Sequence, residues 1–446
     1  EPVGLAQQRF KHRAASFPFR RRRSTPRRFN TESLPPRYKN FNHFFCIYRY
    51  NVPINYTLRK RGGTEQIMNR FENTYEAILA ARPAGQRSCA PVAPAVYRDR
   101  LRAALLARMA GCTLGAPVEG WSVAQMEDYA AGLKLPYPLE NYWTATPTPD
   151  QTRYLYETFQ SYTLPHMNAV PCDDDVGYTL LSLFIAEESG RGTAFTLGDV
   201  AKAWLKYITL AYTAEDVALK NLQAGVDIYE AAEKDNPYTD LIGADIRCDG
   251  YGYMAPGNPE LAAKMAYTDA YISHRNEGIY GSMYFAAVIA SGFATGDVYR
   301  SLCDGLLYIP ERCALADGLR WALDNYGKIR DYRHAAELVD ERYPGMHNVH
   351  TVNNACLTVF GLSLGGNDCG RAFSECVAMA HDNDCTAATA GSIAGACLGT
   401  AALDEKWYAP FGGRIRSYFN GPREYEIEDI LKRYEKIALA GSGARA

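Results

Sequence analysis

Apolar residues recur at spacings of three and four along most of the chain after residue 96. In the first such stretch, one helical face carries Leu101, Ala104, Leu105, Met109 and Cys112. Comparable stripes predict further helices within 180–186, 200–208, 261–270, 282–293, 352–362 and 427–437. The alternation typical of half-buried strands is nearly absent. The pattern therefore predicts an all-α domain over residues 96–442.

Proline and glycine separate these stripes in three longer segments. They cluster within 135–149, 248–259 and 410–421. Residues of these types favour turns, and segments of this length are often functional loops. We therefore expect three long loops between the helices.

One predicted helix carries small residues at every fourth position. Ala387, Gly391, Gly395 and Gly399 follow Cys385 at this spacing and line one face. Glycine inside a helix costs about 1 kcal/mol relative to alanine. Close approach of a neighbouring helix is the simplest compensating gain. We therefore expect a central helix packed tightly against another.

The first 95 residues differ from the rest in composition. Residues 1–61 hold 15 Lys and Arg against two Glu, a net charge of +13. We expect disorder at least to residue 40, with one helix over 64–81. The stretch fits a solvated tail, an organelle transit peptide that is rich in Arg and poor in acids, or a nucleic-acid-binding arm.

Composition then limits the class of protein. The chain has 446 residues, of which 47% are hydrophobic and 22% charged, as in an ordinary soluble enzyme. No uninterrupted apolar run approaches the roughly 18 residues of a membrane span, so no membrane partner is expected. Because the whole chain carries a charge of −2, the part after residue 61 carries −15, which disfavours a nucleic-acid partner.

The twelve cysteines lack the spacing of a zinc site. Several fall inside apolar helical stripes, where a thiol behaves as a small buried hydrophobe. We expect an intracellular protein of a reducing compartment, cytoplasmic unless the N-terminus directs it to an organelle. A monomer is expected.

Two groups of carboxylates precede strongly apolar helices. The first is Asp173, Asp174 and Asp175; the second is Asp382 and Asp384, which flank Asn383. One Asp would be enough to cap a helix, and adjacent carboxylates repel one another. Convergence of the two groups on a divalent cation accounts for both. Ligands that are all oxygen favour Mg²⁺, Mn²⁺ or Ca²⁺ over zinc.

Four motifs together resemble the ADP-ribosylglycohydrolase family. They are the segment 111–119 (GCTLGAPVE), the triplet 173–175 (DDD), the pair 273–274 (SH), and the segment 382–385 (DNDC) followed by an Ala- and Gly-rich helix. The motifs occur in family order and cover about three-quarters of the chain. The resemblance implies a single large orthogonal helical bundle and hydrolysis of the bond at C1″ of ADP-ribose. The substrate would be an ADP-ribosylated protein or a small ADP-ribose conjugate.

The resemblance also implies a dinuclear centre with two divalent cations, Mg²⁺ or Mn²⁺, and a metal-bound water. Its metal ligands would be Asp173, Asp174, Asp175, Asp382 and Asp384. Glu119, which ends the first motif, would act as general base or position the water. Glu119, Asp174 and Asp384 form the implied catalytic set. Judged from the sequence without the resemblance, Glu119 would be an exposed loop carboxylate.

A substrate-binding set follows from the same resemblance. The loop that would cradle the phosphates contributes Gly243, Asp245 and Arg247. The pair that would line the ribose pocket contributes His274, and the segment after it contributes Gly278 and Tyr280. Tyr280 is a candidate for stacking on adenine. His350 and Asn354 begin an apolar helix and lie four residues apart, so they either reach the cleft or cap the helix.

The sequence departs from the family pattern at several positions. Cys385 stands where the family has a threonine ligand, and a thiol is a poor ligand for Mg²⁺. Asp173 replaces a threonine, Val176 stands where a threonine usually follows, and His381 takes a position often held by tryptophan. These departures bear on substrate preference and rate more than on fold.

Two alternatives remain open from the sequence. One is a non-catalytic, crystallin-like member of the same fold. The other takes His381 and Asp382 as the His-Asp pair of a helical, metal-dependent phosphohydrolase of the HD type. That fold needs further histidine ligands, and His274 and His350 lack convincing partners.

Overall fold

The computed structural model describes residues 73–87 and 89–442. Of the helix predicted over 64–81, the described part begins at Tyr75. The predicted disorder to residue 40 and the three interpretations of the basic N-terminus lie outside the described residues.

Helices form most of the described chain and strands very little of it, so the predicted all-α class is confirmed. The α-helices are α1 Tyr75–Ala81, α2 Pro94–Gly115, α3 Val123–Leu133, α4 Asp174–Glu188, α5 Leu197–Tyr207, α6 Thr213–Gln223, α7 Asp249–Met254, α8 Pro259–Ala270, α9 Glu277–Thr295, α10 Val298–Gly305, α11 Ala314–Asp324, α12 Tyr332–Arg342, α13 Thr351–Gly365, α14 Cys369–Ala378, α15 Asn383–Leu398 and α16 Ile427–Ser442.

Four very short strands form two antiparallel hairpins. In the first hairpin, β1 (Thr152–Arg153) pairs with β2 (Glu157–Thr158). In the second, β3 (Arg414–Arg416) pairs with β4 (Glu424–Glu426). Strands of two or three residues are too short to show a detectable alternation of hydrophobic and polar residues, so the sequence pattern did not reveal them.

Side-chain caps fix where many of the helices begin. Ser122 and Thr196 form reciprocal capping boxes with the third residues of α3 and α5. Asp368 caps α14 by accepting a hydrogen bond from the Arg371 backbone N–H at 2.9 Å. The segment 248–259, expected to be a loop, instead contains α7. The six residues of α7 are too few to register as a periodic stripe.

Glycines bring α2 and α15 into backbone contact. A Cβ added at Gly391 would lie 2.4 Å from the carbonyl oxygen of Ala107, and one at Gly395 would lie 2.4 Å from the carbonyl carbon of Ala103. From the other side, a Cβ at Gly111 would lie 2.3 Å from the carbonyl oxygen of Ala387. Only residues without side chains permit this approach, so the predicted packing role of the glycines in α15 is confirmed.

Helix α9 runs through the centre of the core. By length and composition it would be long enough to cross a membrane, which corrects the expectation that no segment reaches that length. Yet 89% of its most apolar window is buried against the rest of the chain. Its apolar character is therefore that of a core helix. Most of the cysteines within the described residues are buried.

Candidate metal centre

Two helix N-termini bring the predicted carboxylates together. Asp173 is the N-cap of α4 and accepts a hydrogen bond from the Asp175 backbone N–H at 3.2 Å. Asp382 is the N-cap position of α15, and Asp384 lies in its first turn. The positive end of each helix dipole favours negative side chains there. Both predicted groups of carboxylates thus face the same interior region.

The end of α2 completes the cluster. A 3₁₀ helix, Ala116–Val118, follows α2 and delivers Glu119. Oxygens of Glu119, Asp382 and Asp384 lie within 4.8 Å of one another. A Cβ at Gly115 would lie 2.5 Å from the Cα of Asp384, so this glycine allows the end of α2 to touch the backbone of that ligand. The same backbone contact that joins the two helices also positions the site.

Further groups adjoin these three carboxylates. Ligand atoms of Asp175, Asp384 and Cys385 lie within 4.8 Å of one another, as do those of Cys112, Asp173 and Asp175. Asp175 belongs to both of these groups, and Asp384 joins the first of them to the group that contains Glu119. These groups therefore connect five of the predicted metal residues: Glu119, Asp173, Asp175, Asp382 and Asp384. Asp174 lies beside them, because its Oδ1 accepts a hydrogen bond from the Asp175 backbone N–H at 3.2 Å. We call these six residues the carboxylate cluster.

Arg153 enters the carboxylate cluster from the hairpin β1–β2. Its Nη2 lies 2.9 Å from Glu119 Oε2, 3.1 Å from Asp173 Oδ2 and 3.0 Å from Asp384 Oδ2. Its Nη1 donates to the carbonyl oxygen of Ala116 at 2.6 Å. The side chain is only 9% exposed. A single guanidinium thus bridges carboxylates from three different elements.

Tyrosine side chains line the same side of the cluster. The hydroxyl of Tyr154 donates to Asp174 Oδ1 at 2.7 Å, and its ring stacks on Tyr418 with centroids 4.9 Å apart. Tyr212 meets the Tyr154 ring edge-on at 5.9 Å. The guanidinium of Arg153 lies over the Tyr154 ring at 5.0 Å. These rings hold the hairpin side chains in place around the carboxylates.

A second guanidinium neutralises Asp175 from behind. Arg108 Nη2 lies 3.1 Å from Asp175 Oδ1, and its Nη1 lies 3.0 Å from Asp249 Oδ2. The thiol of Cys385 donates to the other oxygen of Asp175 at 3.3 Å. Burial raises the pKa of Cys385 well above its ordinary value, so the group is a thiol rather than a thiolate. In this arrangement Cys385 serves as a hydrogen-bond donor.

The residues fit a divalent cation. Asp382 Oδ1 is buried and has no hydrogen-bond partner among the described residues. A buried carboxylate oxygen without a partner costs free energy that a bound cation would offset. Asn354 orients this residue, because its Oδ1 accepts a hydrogen bond from the Asp382 backbone N–H at 3.3 Å. The oxygens of Glu119, Asp382 and Asp384 are therefore the best-placed donors for a hard cation.

Burial shifts the titration of the cluster. It raises the pKa of Asp173, Asp175 and Asp382 well above ordinary values, and neighbouring carboxylates raise them further. Burial and the charge of Asp384 raise the pKa of Glu119 to about 8. In the absence of a cation, burial and mutual repulsion therefore disfavour the ionised forms of these carboxyl groups. A cation bound there would favour the ionised forms.

Part of the predicted substrate-binding set gathers around Glu215, a residue that the sequence interpretation missed. Arg247 Nη1 lies 2.8 Å from Glu215 Oε1, and His274 Nε2 lies 4.0 Å from the same oxygen. A Cβ at Gly243 would lie 2.0 Å from Glu215 Oε1. Burial raises the pKa of Glu215 to about 7 and lowers that of His274. These residues form a buried polar group.

The side chains of 243–247 pack against other parts of the chain. This segment forms a buried 3₁₀ helix, Ile242–Arg247. Arg247 is 1% exposed and also pairs with Asp269 at 2.7 Å, so its guanidinium is already bound on several sides. The Asp245 carboxylate packs against α9, since a Cβ at Gly281 would lie 2.2 Å from its Oδ1. Both side chains are thus in contact with neighbouring elements, and their assignment to phosphate binding stays a prediction.

Three further predicted residues also lie in the protein interior. Tyr280 is 1% exposed, and its stacking on adenine stays a prediction. Gly278 packs against the carbonyl oxygen of Thr239, from which a Cβ would be 2.5 Å away. His350 caps α13 by accepting a hydrogen bond from the Val352 backbone N–H at 3.1 Å. At the start of α13, His350 therefore acts as a helix cap. Asn354 contacts the candidate metal site through the backbone of Asp382.

The arrangement of histidines argues against the HD-type alternative. His381 Nε2 lies 2.9 Å from a carboxylate oxygen of the exposed Asp340. His274 lies beside Glu215, and His350 caps a helix. Among the described residues, no histidine joins a group with metal-ligand spacing. A phosphohydrolase of that type needs such ligands.

The family of this chain follows from its match to a family model. A solved structure described as an ADP-ribosylglycohydrolase-related protein complex has 16% sequence identity to this chain, with a TM-score of 0.47. It covers 77% of this chain and 98% of its own. No curated protein matches the sequence. The family model for ADP-ribosylglycohydrolase matches residues 93–438. The protein therefore belongs to the ADP-ribosylglycohydrolase family, whose members are generally hydrolases that act on ADP-ribosylated substrates.

Proposed function

We propose that this protein is a metal-dependent hydrolase that cleaves the glycosidic bond at C1″ of ADP-ribose. Its substrate would be an ADP-ribosylated protein or a small ADP-ribose conjugate. The observation that carries this proposal is the convergence of Glu119, Asp382 and Asp384, with a buried Asp382 oxygen that lacks a protein partner. Family membership supplies the substrate class.

The chain's own residues supply a binding site for Mg²⁺ or Mn²⁺. Glu119, Asp382 and Asp384 would hold one ion. Asp173 and Asp175, with Asp174 beside them, would be the donors for a second. When bound, such ions orient hydroxyl groups and lower the pKa of water, which is the chemistry that glycoside cleavage needs. The negative charge of the cluster also stabilises an oxocarbenium-like transition state.

Glu119 is the carboxylate best placed to exchange protons with a substrate. Its side chain is 32% exposed, whereas those of Asp173 and Asp384 are almost fully buried. Burial holds its pKa at about 8 in the absence of ions, so the carboxyl group can gain or lose a proton near neutral pH. Arg153 fixes Glu119 Oε2, which orients the carboxyl group.

The test combines metal binding with turnover. Metal-stripped protein would be titrated with Mg²⁺ and Mn²⁺ and assayed on ADP-ribosyl-arginine and ADP-ribosyl-serine peptides. Asp382→Asn and Asp384→Asn should abolish both metal-induced thermal stabilisation and turnover, while circular dichroism remains that of the wild type. Asp368→Asn is the matched control, because Asp368 caps the neighbouring helix α14 outside the cluster.

Two results would contradict the proposal. Normal turnover in Asp384→Asn would exclude the assigned ligand. Metal binding by the wild type without turnover of either substrate would instead favour the non-catalytic, crystallin-like alternative.

A further inference from the structure

Arg153 is held at the centre of the carboxylate cluster by the hairpin β1–β2. Tyr154 and Leu155, which follow it, adopt φ angles of 47° and 64° and form the tight turn of the hairpin. The hairpin directs the arginine inward, while Leu155 and Tyr156 at its tip are 50% and 57% exposed. An exposed turn therefore delivers a buried positive charge to the proposed metal site.

The contacts of Arg153 resemble those of a bound cation. Its Nη2 lies within 3.1 Å of Glu119, Asp173 and Asp384. One guanidinium nitrogen of this kind carries only two hydrogens, so three carboxylates exceed what paired hydrogen bonds can satisfy. The three side chains come from separate elements, as the ligands of an ion do. Charge neutralisation, more than directed hydrogen bonding, therefore explains this position.

We propose that Arg153 is an internal cation that competes with divalent ions for the carboxylate cluster. This inference rests on the proposed function, because it concerns the same site. A divalent ion bound by Glu119 and Asp384 would share two of the three carboxylates that hold the guanidinium. The ion and the guanidinium are both positively charged and would repel each other. The same carboxylate oxygens could not bind both at full strength.

Arg153 therefore sets how strongly the cluster binds metal. In the ion-free protein it neutralises carboxylates that would otherwise repel one another. On metal binding it must withdraw from them or weaken the ion's hold. Removing its charge should tighten binding of Mn²⁺ by at least about tenfold. The repulsion between two close positive charges in a protein is larger than the energy that corresponds to a tenfold change in affinity.

The test measures metal binding on the full chain, independently of turnover. Isothermal titration of metal-stripped protein with MnCl₂ would compare the wild type with Arg153→Met and Arg153→Lys. Arg153→Met keeps much of the apolar stem and loses the charge. Arg153→Lys keeps the charge on a shorter side chain without the planar fork. Arg414→Met is the control, because Arg414 is exposed and pairs with Glu424, outside the cluster.

The expected result is Mn²⁺ affinity at least about tenfold above wild type for Arg153→Met, intermediate for Arg153→Lys and unchanged for Arg414→Met. The ion-free Arg153→Met protein should also melt at a lower temperature than wild type and gain more on adding Mn²⁺. If Arg153→Met does not fold, Arg153→Lys alone decides, and it must bind more tightly than wild type.

Affinity equal to or below wild type in the Arg153 variants would overturn the proposal, even though the wild type binds metal. Absence of Mn²⁺ binding in the wild type and in all variants would overturn both this inference and the proposed function. The two failures are thus distinguishable.

Discussion

Gly115 joins helix packing to the proposed metal site, and replacing it with alanine tests that connection. The added Cβ would lie 2.5 Å from the Cα of Asp384 and 2.6 Å from its backbone nitrogen. Ordinary Cβ contacts are 3.4–4 Å. Both neighbouring atoms belong to the backbone, so no flexible side chain can move aside. Either α2 and α15 separate at this end, or the backbone of Asp384 shifts by about 1 Å.

The expected cost follows from two opposing terms. Overpacking typically destabilises a protein by about 1–3 kcal/mol. Alanine gains back about 1 kcal/mol over glycine in helix propensity. We therefore expect Gly115→Ala to lower the free energy of unfolding by up to about 2 kcal/mol. A ligand shift of about 1 Å is also several times the tolerance of a metal site, about 0.2 Å, so Mn²⁺ affinity should fall by at least about tenfold.

Two control variants separate displacement of the ligand from loss of stability. Gly395→Ala creates the same kind of overlap, 2.4 Å from the carbonyl carbon of Ala103, but three helical turns from Asp384. It should lose similar stability and keep its metal affinity. A Cβ at Gly132 in α3 would meet no atom within 4 Å, so Gly132→Ala should be neutral or slightly stabilising.

Urea denaturation followed by circular dichroism measures the stability of each variant, and isothermal titration with MnCl₂ measures its affinity. Wild-type affinity in Gly115→Ala would refute the idea that this glycine positions Asp384. Equal loss of affinity in Gly395→Ala would show that general loosening of the helix pair, not local displacement, weakens the site.

Two further predictions address other parts of the molecule. Asn354→Ala removes the acceptor for the Asp382 backbone N–H. It should lower the free energy of unfolding by about 1–3 kcal/mol and weaken Mn²⁺ binding, as measured by the same two assays. Unchanged Mn²⁺ affinity would exclude a positioning role for Asn354. Burial raises the pKa of Glu277 from 4.5 to about 7, although its carboxylate accepts hydrogen bonds from the backbone N–H groups of Ala314 and Leu315. The unfolded chain therefore loses this proton first as pH rises, and stability falls between those pH values by at most about 1.4 kcal/mol per pH unit. Glu277→Gln should flatten that slope in urea titrations at several pH values, and an unchanged slope would assign the titration to another group.

Local patterns in the sequence determined the helical class and much of the carboxylate cluster. Apolar spacing gives the buried face of a helix directly, because every turn returns to that face. Glycines at four-residue spacing predicted the close contact of α15, and α2 is its partner. Asp173 and Asp382 stand at helix starts, a position that the preference of Asp for helix N-caps allows the sequence to predict. The family resemblance then placed Glu119 beside them, and the structure brings all three together.

Only the tertiary structure revealed Arg153 and Glu215 as parts of these polar groups. Arg153 lies 231 positions before Asp384, in a segment without helical periodicity, and its neighbours Tyr154 and Tyr162 give no sign of a charged centre. Glu215 resembles any acidic residue in the first turn of a helix, here α6. Nothing in either local pattern distinguishes the residue from a solvated one.

The same limit applies to the surroundings of three predicted substrate-binding residues. Asp245, Arg247 and Tyr280 lie on segments whose motifs pointed toward a ligand, yet the structure buries them against other helices. Periodicity tells which face of a helix is covered but not which neighbour covers it. That choice depends on how all the helices pack together, since each contact between distant residues exists only when the other contacts hold both elements in place.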